Sequence, residues 1–249
     1  MDDDLLILPV LPEATTEYEA PYASPNAVSD MPILYEDEGF EDMGDSAPHT
    51  DAIQILQIGI ESHFAARPDI QVFSDLNLYY HPTDLKAYVS ADLMVVAPFQ
   101  PMPNASSYRI GKDGPAPLLT LEVLSPRTAQ QRDLGDKADI YTRLNVAEYI
   151  LVDPNHLYLE RTLQHRKLQS NQAWLELCDP DGGVTSDLGF RIVIDDDGRL
   201  RVTDAATGHK YARPKEAEQI ALALRKADER IRELEAENTR LRNRLGDGS

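Results

Sequence analysis

Two acidic residues stand where acids are costly. Asp92 enters the apolar run SADLMVV, and Glu122 enters the run LTLEVLS. Both runs read as buried strands. An ionised carboxylate in such a place has to be paired, protonated or bound to metal. One alone would say little. Two, on strands able to lie side by side, would converge into an oxygen site for a hard divalent cation such as Mg²⁺. Lys137 follows the second run through the turn and polar helix start SPRTAQQRDLGDK, and it could bring a positive charge beside them. The competing reading is a buried acid pair satisfied by Lys137 alone, with no metal.

The elements that must position these groups follow from periodicity and breakers. Ile53, Leu56, Ile60 and Phe64 fall at helical spacing after Ser46, and Arg67-Pro68 ends that helix. Strands are predicted over 70–80 and 88–98, then a Pro- and Gly-containing loop over 99–116, then a strand over 117–124. A helix over about 130–144, with Leu134, Tyr141 and Leu144 inward, leads to the short strand EYILVDP at 148–154. LYLERTL, HRKLQSN and AWLELCD predict an antiparallel meander, and RIVIDDDGRLRVTD a hairpin turning at DDG. Alternating helices and strands make this an α/β chain with a mixed central sheet and an antiparallel extension.

Composition bounds the partners. The chain has 249 residues, 42% of them hydrophobic, enough for a substantial core. Its net charge is −19, but the first 48 residues carry 13 acidic residues and no Lys or Arg, leaving 30 acidic against 24 basic in the remainder. That balance disfavours a histone-like DNA binder, which needs a broad basic footprint, and leaves room for an enzyme with a divalent metal and a local basic strip. A single cysteine, Cys178, excludes an internal disulfide and a cysteine-rich zinc site. No run approaches the ~20 apolar residues of a membrane span. The acidic start MDDDLLILPVLPEA lacks the basic residues of a signal peptide, so a cytoplasmic location is expected.

Three regions are expected: a flexible acidic, Pro-rich arm over 1–45, an α/β domain over 46–212, and a C-terminal helix over 213–249. The helix has a heptad pattern, with Leu224, Ile231, Asn238 and Leu245 at a and Ile220, Ala227, Leu234 and Leu241 at d. A lone Asn at a favours a parallel, in-register pair. In such a pair Arg230 would face Glu235 of the other chain, and Glu237 would face Arg242. The expectation is a homodimeric coiled coil; the alternatives are a helix folded back on its own domain and a solvated surface helix.

The run ADLMVV, followed by PLLTLEVLSPRTAQQRDLGDKADIYTRLNVAEYILVDP, resembles the Uma-two-type restriction endonuclease family of the PD-(D/E)XK nuclease superfamily. The likeness covers roughly 35–212 and is strongest over 88–154. It implies a restriction-endonuclease-like sheet flanked by helices, and Mg²⁺- or Mn²⁺-dependent cleavage of DNA phosphodiesters, RNA being a substrate the sequence does not separate. By resemblance, Asp92 and Glu122 would hold the metal with the carbonyl of Val123. Lys137 would take the place of the superfamily lysine, and His49 would face the site from the first helix. Arg127, Arg132 and Arg143 are candidate phosphate contacts; Asp51, Glu61 and Asp75 are further polar candidates. Two departures stand out. Ala91 replaces the proline before the aspartate, and Leu124 stands two residues after Glu122, where the usual lysine would be. The rival function is a catalytically weak or inactive nuclease-fold protein acting as a DNA-associated or regulatory module.

Overall fold

The computed structural model describes residues 47–99, 106–125 and 129–246; the acidic arm lies outside them. The chain divides into two units, up to Tyr211 and from Ala212 onward.

In the first unit, helix α1 (Ala47–His63) precedes the strands β1 (Gln71–Tyr79), β2 (Tyr88–Val96), β3 (Ser107–Arg109) and β4 (Leu119–Val123). A π-helical segment (Ala129–Asp136) runs into helix α2 (Lys137–Arg143) and strand β5 (Glu148–Val152). Strands β6 (Leu163–Leu168) and β7 (Trp174–Leu177) complete a seven-stranded sheet in the order β3-β1-β2-β4-β5-β6-β7. Strands β8 (Val184–Thr185), β9 (Phe190–Ile194) and β10 (Leu200–Asp204) form a second sheet. The large sheet is mixed: β4 and β5 are parallel, joined by the helical crossover that parallel strands require, and β5, β6 and β7 are antiparallel.

Two apolar layers sandwich the large sheet. One gathers Ile55, Leu56 and Ile60 of α1, alternate residues of the central strands, and Phe190, Ile192 and Val202 of the small sheet. The other gathers Leu78, Met94, Leu124, Ile140, Tyr141 and Tyr149. Gly59 sets the approach of α1 to β10: a Cβ there would come within 2.5 Å of the Val202 side chain, so only glycine lets the two elements close. All five residues of β4 and of β5 are buried, as strands covered by a layer on each face should be.

The apolar alternation changes phase at one rung. In β2, Val89 and Ala91 belong to the α2 layer, whereas Leu93 and Val95, two and four residues on, belong to the α1 layer. In β1, Val72 faces the α1 layer, and Leu76 and Leu78 the other. The switch falls where Asp75, with a positive φ of 46°, stands opposite Asp92 between the pairs Ser74–Leu93 and Leu76–Ala91. A strand residue with left-handed φ breaks the pleat.

Three expectations differ from the structure. The 99–116 loop contains β3, which pairs parallel with the edge of β1. The 130–144 helix starts with π-helical turns. LYLERTL is not a strand before Leu163: the Asp153 carboxylate accepts the N–H groups of Tyr158 and Leu159, at 2.6 and 2.9 Å, which organises a loop instead.

The second unit is helix α3 (Pro214–Gly246), 33 residues without an internal break. At 1.5 Å per residue it is about 50 Å long. Ile220, Leu224, Ile231 and Leu234 along its heptad stripe are all exposed. Within the helix Arg230 pairs with Glu233 at 2.9 Å. The side chains of Leu241 and Leu245 lie outside the described residues.

Candidate active site

β2 and β4 run antiparallel, with Leu93 opposite Leu121 and Met94 opposite Thr120. The paired register stops at Leu93, and Asp92 and Glu122, one residue further along each strand, meet where the pleat of β2 is broken. The hydrogen bonds interlock the two. The Val123 N–H donates to Asp92 Oδ2 at 2.7 Å, and the Asp92 N–H points at Glu122 Oε2 at 3.4 Å. The two acids predicted from the sequence thus share one site.

Glu122 is fully buried, and both of its oxygens are engaged. Oε2 accepts from the Lys137 ammonium at 2.7 Å and Oε1 from the Tyr141 hydroxyl at 2.7 Å. Lys137 enters from the first turn of α2, one crossover after β4. It is itself buried and lies 2.9 Å from Asp133 Oδ1, so its ammonium bridges two carboxylates. Leu124, two residues after Glu122, is buried among the apolar residues of the α2 layer. The ammonium therefore comes from the helix, not from the strand.

Asp133 lies on the π-helical segment, whose backbone is held from the neighbouring strands. The Tyr149 hydroxyl of β5 donates to the Asp133 carbonyl at 2.6 Å, and Arg166 of β6 reaches the Leu134 carbonyl at 3.5 Å. The rings of Tyr141 and Tyr149 meet edge-on with centroids 5.0 Å apart, which fixes both hydroxyls. On the other side, buried His49 in the first turn of α1 brings Nε2 to 3.7 Å from Asp92 Oδ2, ion-pair range for a protonated imidazole and too long for a hydrogen bond.

The electrostatics are those of a cluster with too many acids. Burial pushes the Glu122 carboxyl up to about 8; Lys137 opposes the rise, and Asp92 and Asp133 reinforce it. Burial by itself would lower the Lys137 ammonium, but Glu122, Asp133 and Asp92 outweigh it and its pKa rises above the ordinary lysine value. Burial and then Glu122 hold the Tyr141 hydroxyl protonated, well above its usual range, so it serves as a donor.

The donor set fits a hard divalent cation. Asp92 is the open side of the pair: its side chain is 24% exposed, and its hydrogen bond and ion pair both fall on Oδ2. Among the described residues no three His, Cys, Asp or Glu side chains gather as a metal cage. Mg²⁺ commonly takes one or two carboxylates and completes its shell with carbonyl, water or phosphate oxygens. Two acids beside the Val123 backbone match that habit.

The remaining candidates separate. Glu61 is exposed and accepts from Gln57 one turn earlier. Asp51 pairs with Arg199 at 2.8 Å, tying α1 to the β9–β10 hairpin. Asp75 is exposed at the phase change, and Arg143 is exposed at the end of α2. Arg127, and the side chain of Arg132, lie outside the described residues. Two residues of the cluster are not among the sequence candidates: Asp133, and Tyr141, whose periodicity marks it only as an inward core position. The i, i+4 spacing of Asp133 and Lys137 was the available signal.

The family follows from comparison. The chain belongs to the Uma2 family, described as "Putative restriction endonuclease", whose sequence model matches residues 34–179, more than half of the chain. No curated protein matches it. A solved structure described as "a putative nuclease belonging to DUF820 from Anabaena variabilis ATCC 29413" is similar at 19% identity. It covers 57% of this chain and 73% of its own, with a TM-score of 0.43, a likeness too slight to argue from. No helix among the described residues is long and apolar enough to cross a membrane.

Proposed function

We propose that this protein is a metal-dependent endonuclease that hydrolyses DNA phosphodiester bonds. The observation that supports it best is the interlocking of Asp92 and Glu122 where β2 meets β4, with the Lys137 ammonium 2.7 Å from Glu122. Asp92 and Glu122, with the Val123 carbonyl, would hold Mg²⁺ or Mn²⁺. Bound there, the ion would polarise the scissile phosphate and bring the pKa of a bound water toward neutrality. Lys137 keeps a permanent positive charge at the buried side of the site, placed to donate to the attacking water or to the charge that develops on phosphorus-bound oxygen. Tyr141 fixes the rotamer of Glu122, and His49 orients Asp92 from the opposite layer. Arg127 and Arg132 would contact the phosphates that flank the cut.

The exposed heptad stripe of α3 supports a homodimer through that helix, which would bring one site to each strand of a duplex. We place this dimer in the cytoplasm, with residues 1–45 as an arm, 46–212 as the nuclease domain and 213–249 as the dimerising segment. The decisive experiment is plasmid nicking with Mg²⁺ or Mn²⁺ by wild type, Asp92→Ala and Glu122→Ala. Nicking by wild type that both substitutions abolish is expected. Equal nicking by all three marks a contaminant and removes the enzyme reading, and cleavage of RNA in preference to DNA corrects the substrate.

A second reading has its own support. Both Glu122 oxygens are occupied and the group is fully buried, as in a retired catalytic site kept for binding. A protein that binds duplex DNA but leaves it uncut with either ion would establish that reading.

A further inference from the structure

Lys137 and a divalent cation need the same oxygen. The ammonium is 2.7 Å from Glu122 Oε2, where a cation shared with Asp92 would also have to sit. Two positive charges drawn to one oxygen repel strongly in a site screened from water. Moving the lysine away without a new partner would leave a buried, uncompensated ammonium, which is expensive. Asp133 removes that cost. Its carboxylate is as buried as Glu122, already lies 2.9 Å from the same nitrogen, and is carried by a segment pinned by Tyr149 and Arg166. An ammonium has three protons to place, so a short rotation about the end of the side chain releases Glu122 while the contact with Asp133 stays. The π-helical geometry suits this task, since local widening of a helix often marks such a site.

We propose that Asp133 is the positioning residue of the site: it retains the Lys137 ammonium when Glu122 is given up to a divalent cation, so that Lys137 acts as the resident counter-ion before metal enters. The proposal rests on the nuclease reading above, and on that reading's two metal ligands. It also gives the doubly occupied Glu122 a purpose other than inactivity. The ammonium holds Glu122 Oε2 in place until the ion arrives.

The test is a double-mutant cycle read by calorimetric titration of Mn²⁺ alone into the full-length chain, with no nucleic acid and no turnover. Lys137→Met is expected to bind Mn²⁺ at least about tenfold more tightly than wild type, because the competing charge is gone. Asp133→Asn is expected to bind about tenfold more weakly, and to change affinity less than about threefold in the Lys137→Met background. An equal loss in both backgrounds means that Asp133 acts on the cation directly and overturns the proposal. So does an unchanged affinity in Asp133→Asn. If wild type does not bind Mn²⁺, the nuclease reading fails and takes the proposal with it. Binding that Asp92→Ala abolishes but Asp133→Asn leaves intact sinks the proposal alone. Should either single variant fail to fold, a Mn²⁺ soak of wild-type crystals decides: Nζ is expected on Asp133 and off Glu122. A nitrogen still bonded to Glu122 beside bound metal refutes the exchange.

Discussion

Two buried glutamates on neighbouring strands lead opposite lives. Glu148 opens β5 and Glu122 sits near the end of β4, the adjacent parallel strand. Glu148 accepts from Ser186 Oγ at 3.0 Å and from the Asp187 N–H at 3.2 Å, and His165 Nε2 lies 2.8 Å from it. The Ser186 and Asp187 contacts fasten the large sheet to the β8–β9 turn of the small one. Glu122 has Lys137 and Tyr141, but Asp92 and Asp133 crowd it from two sides. Burial is common to both. What separates them is surplus negative charge, and only a site with such a surplus gains from an incoming cation.

The largest test of that contrast is catalytic. Asp92→Asn and Glu122→Gln should lower nicking by about a thousandfold or more, the scale on which metal and oxyanion stabilisation operates, with the fold retained by circular dichroism. Glu148→Gln should instead destabilise by about 3 kcal/mol in denaturant unfolding, as loss of one partner from a buried pair does, and leave cleavage per folded molecule near wild type. If the two outcomes change places, the contrast is wrong.

Next comes pH. The folded Glu122 pKa of about 8 lies above its ordinary 4.5, so the native state holds a proton that the unfolded chain has released between those values. Its contribution to stability is therefore complete below 4.5, and it declines as pH rises toward 8, by at most about 1.4 kcal/mol per pH unit. Metal-free melting followed from pH 5 to 8 should show this decline, and Glu122→Gln should flatten it. An unchanged slope in the variant would place the proton elsewhere. A smaller effect is expected from Tyr141→Phe, which removes one neutral donor and should slow nicking by about tenfold or less. For the tail, deleting 215–249 should convert a dimer to a monomer by light scattering; an unchanged mass would refute the coiled-coil assignment.

Much of the site was legible because acids inside apolar runs are rare enough to need a reason, and because Leu124 redirected attention to Lys137. Asp133 was not legible. An Asp four residues before a Lys on a polar helix reads as a solvated pair, and only the tertiary packing of Tyr149 and Arg166 turns it inward. Tyr141 looked like core because it is core; its hydroxyl happens to end on Glu122. The fold was readable wherever periodicity met a breaker, as in α1, β2, β4 and the β9–β10 hairpin. It failed at LYLERTL, whose alternating apolar residues suggested a strand. Leu157 is 61% exposed there, and the amides of Tyr158 and Leu159 are committed to Asp153. A local side-chain acceptor can outbid a ladder, and no periodicity records it.

The change of phase between Asp75 and Asp92 carries a last implication. Upstream and downstream of that rung, odd and even positions trade places between the two interiors, so the two strands are each spliced from segments of opposite parity. Straightening the splice, for instance with a β-branched residue at 75, would turn either Ala91 or Leu93 toward the wrong interior. The kink and the carboxylate in the middle of an oily strand occupy one rung, so the one could not be engineered away without disturbing the other.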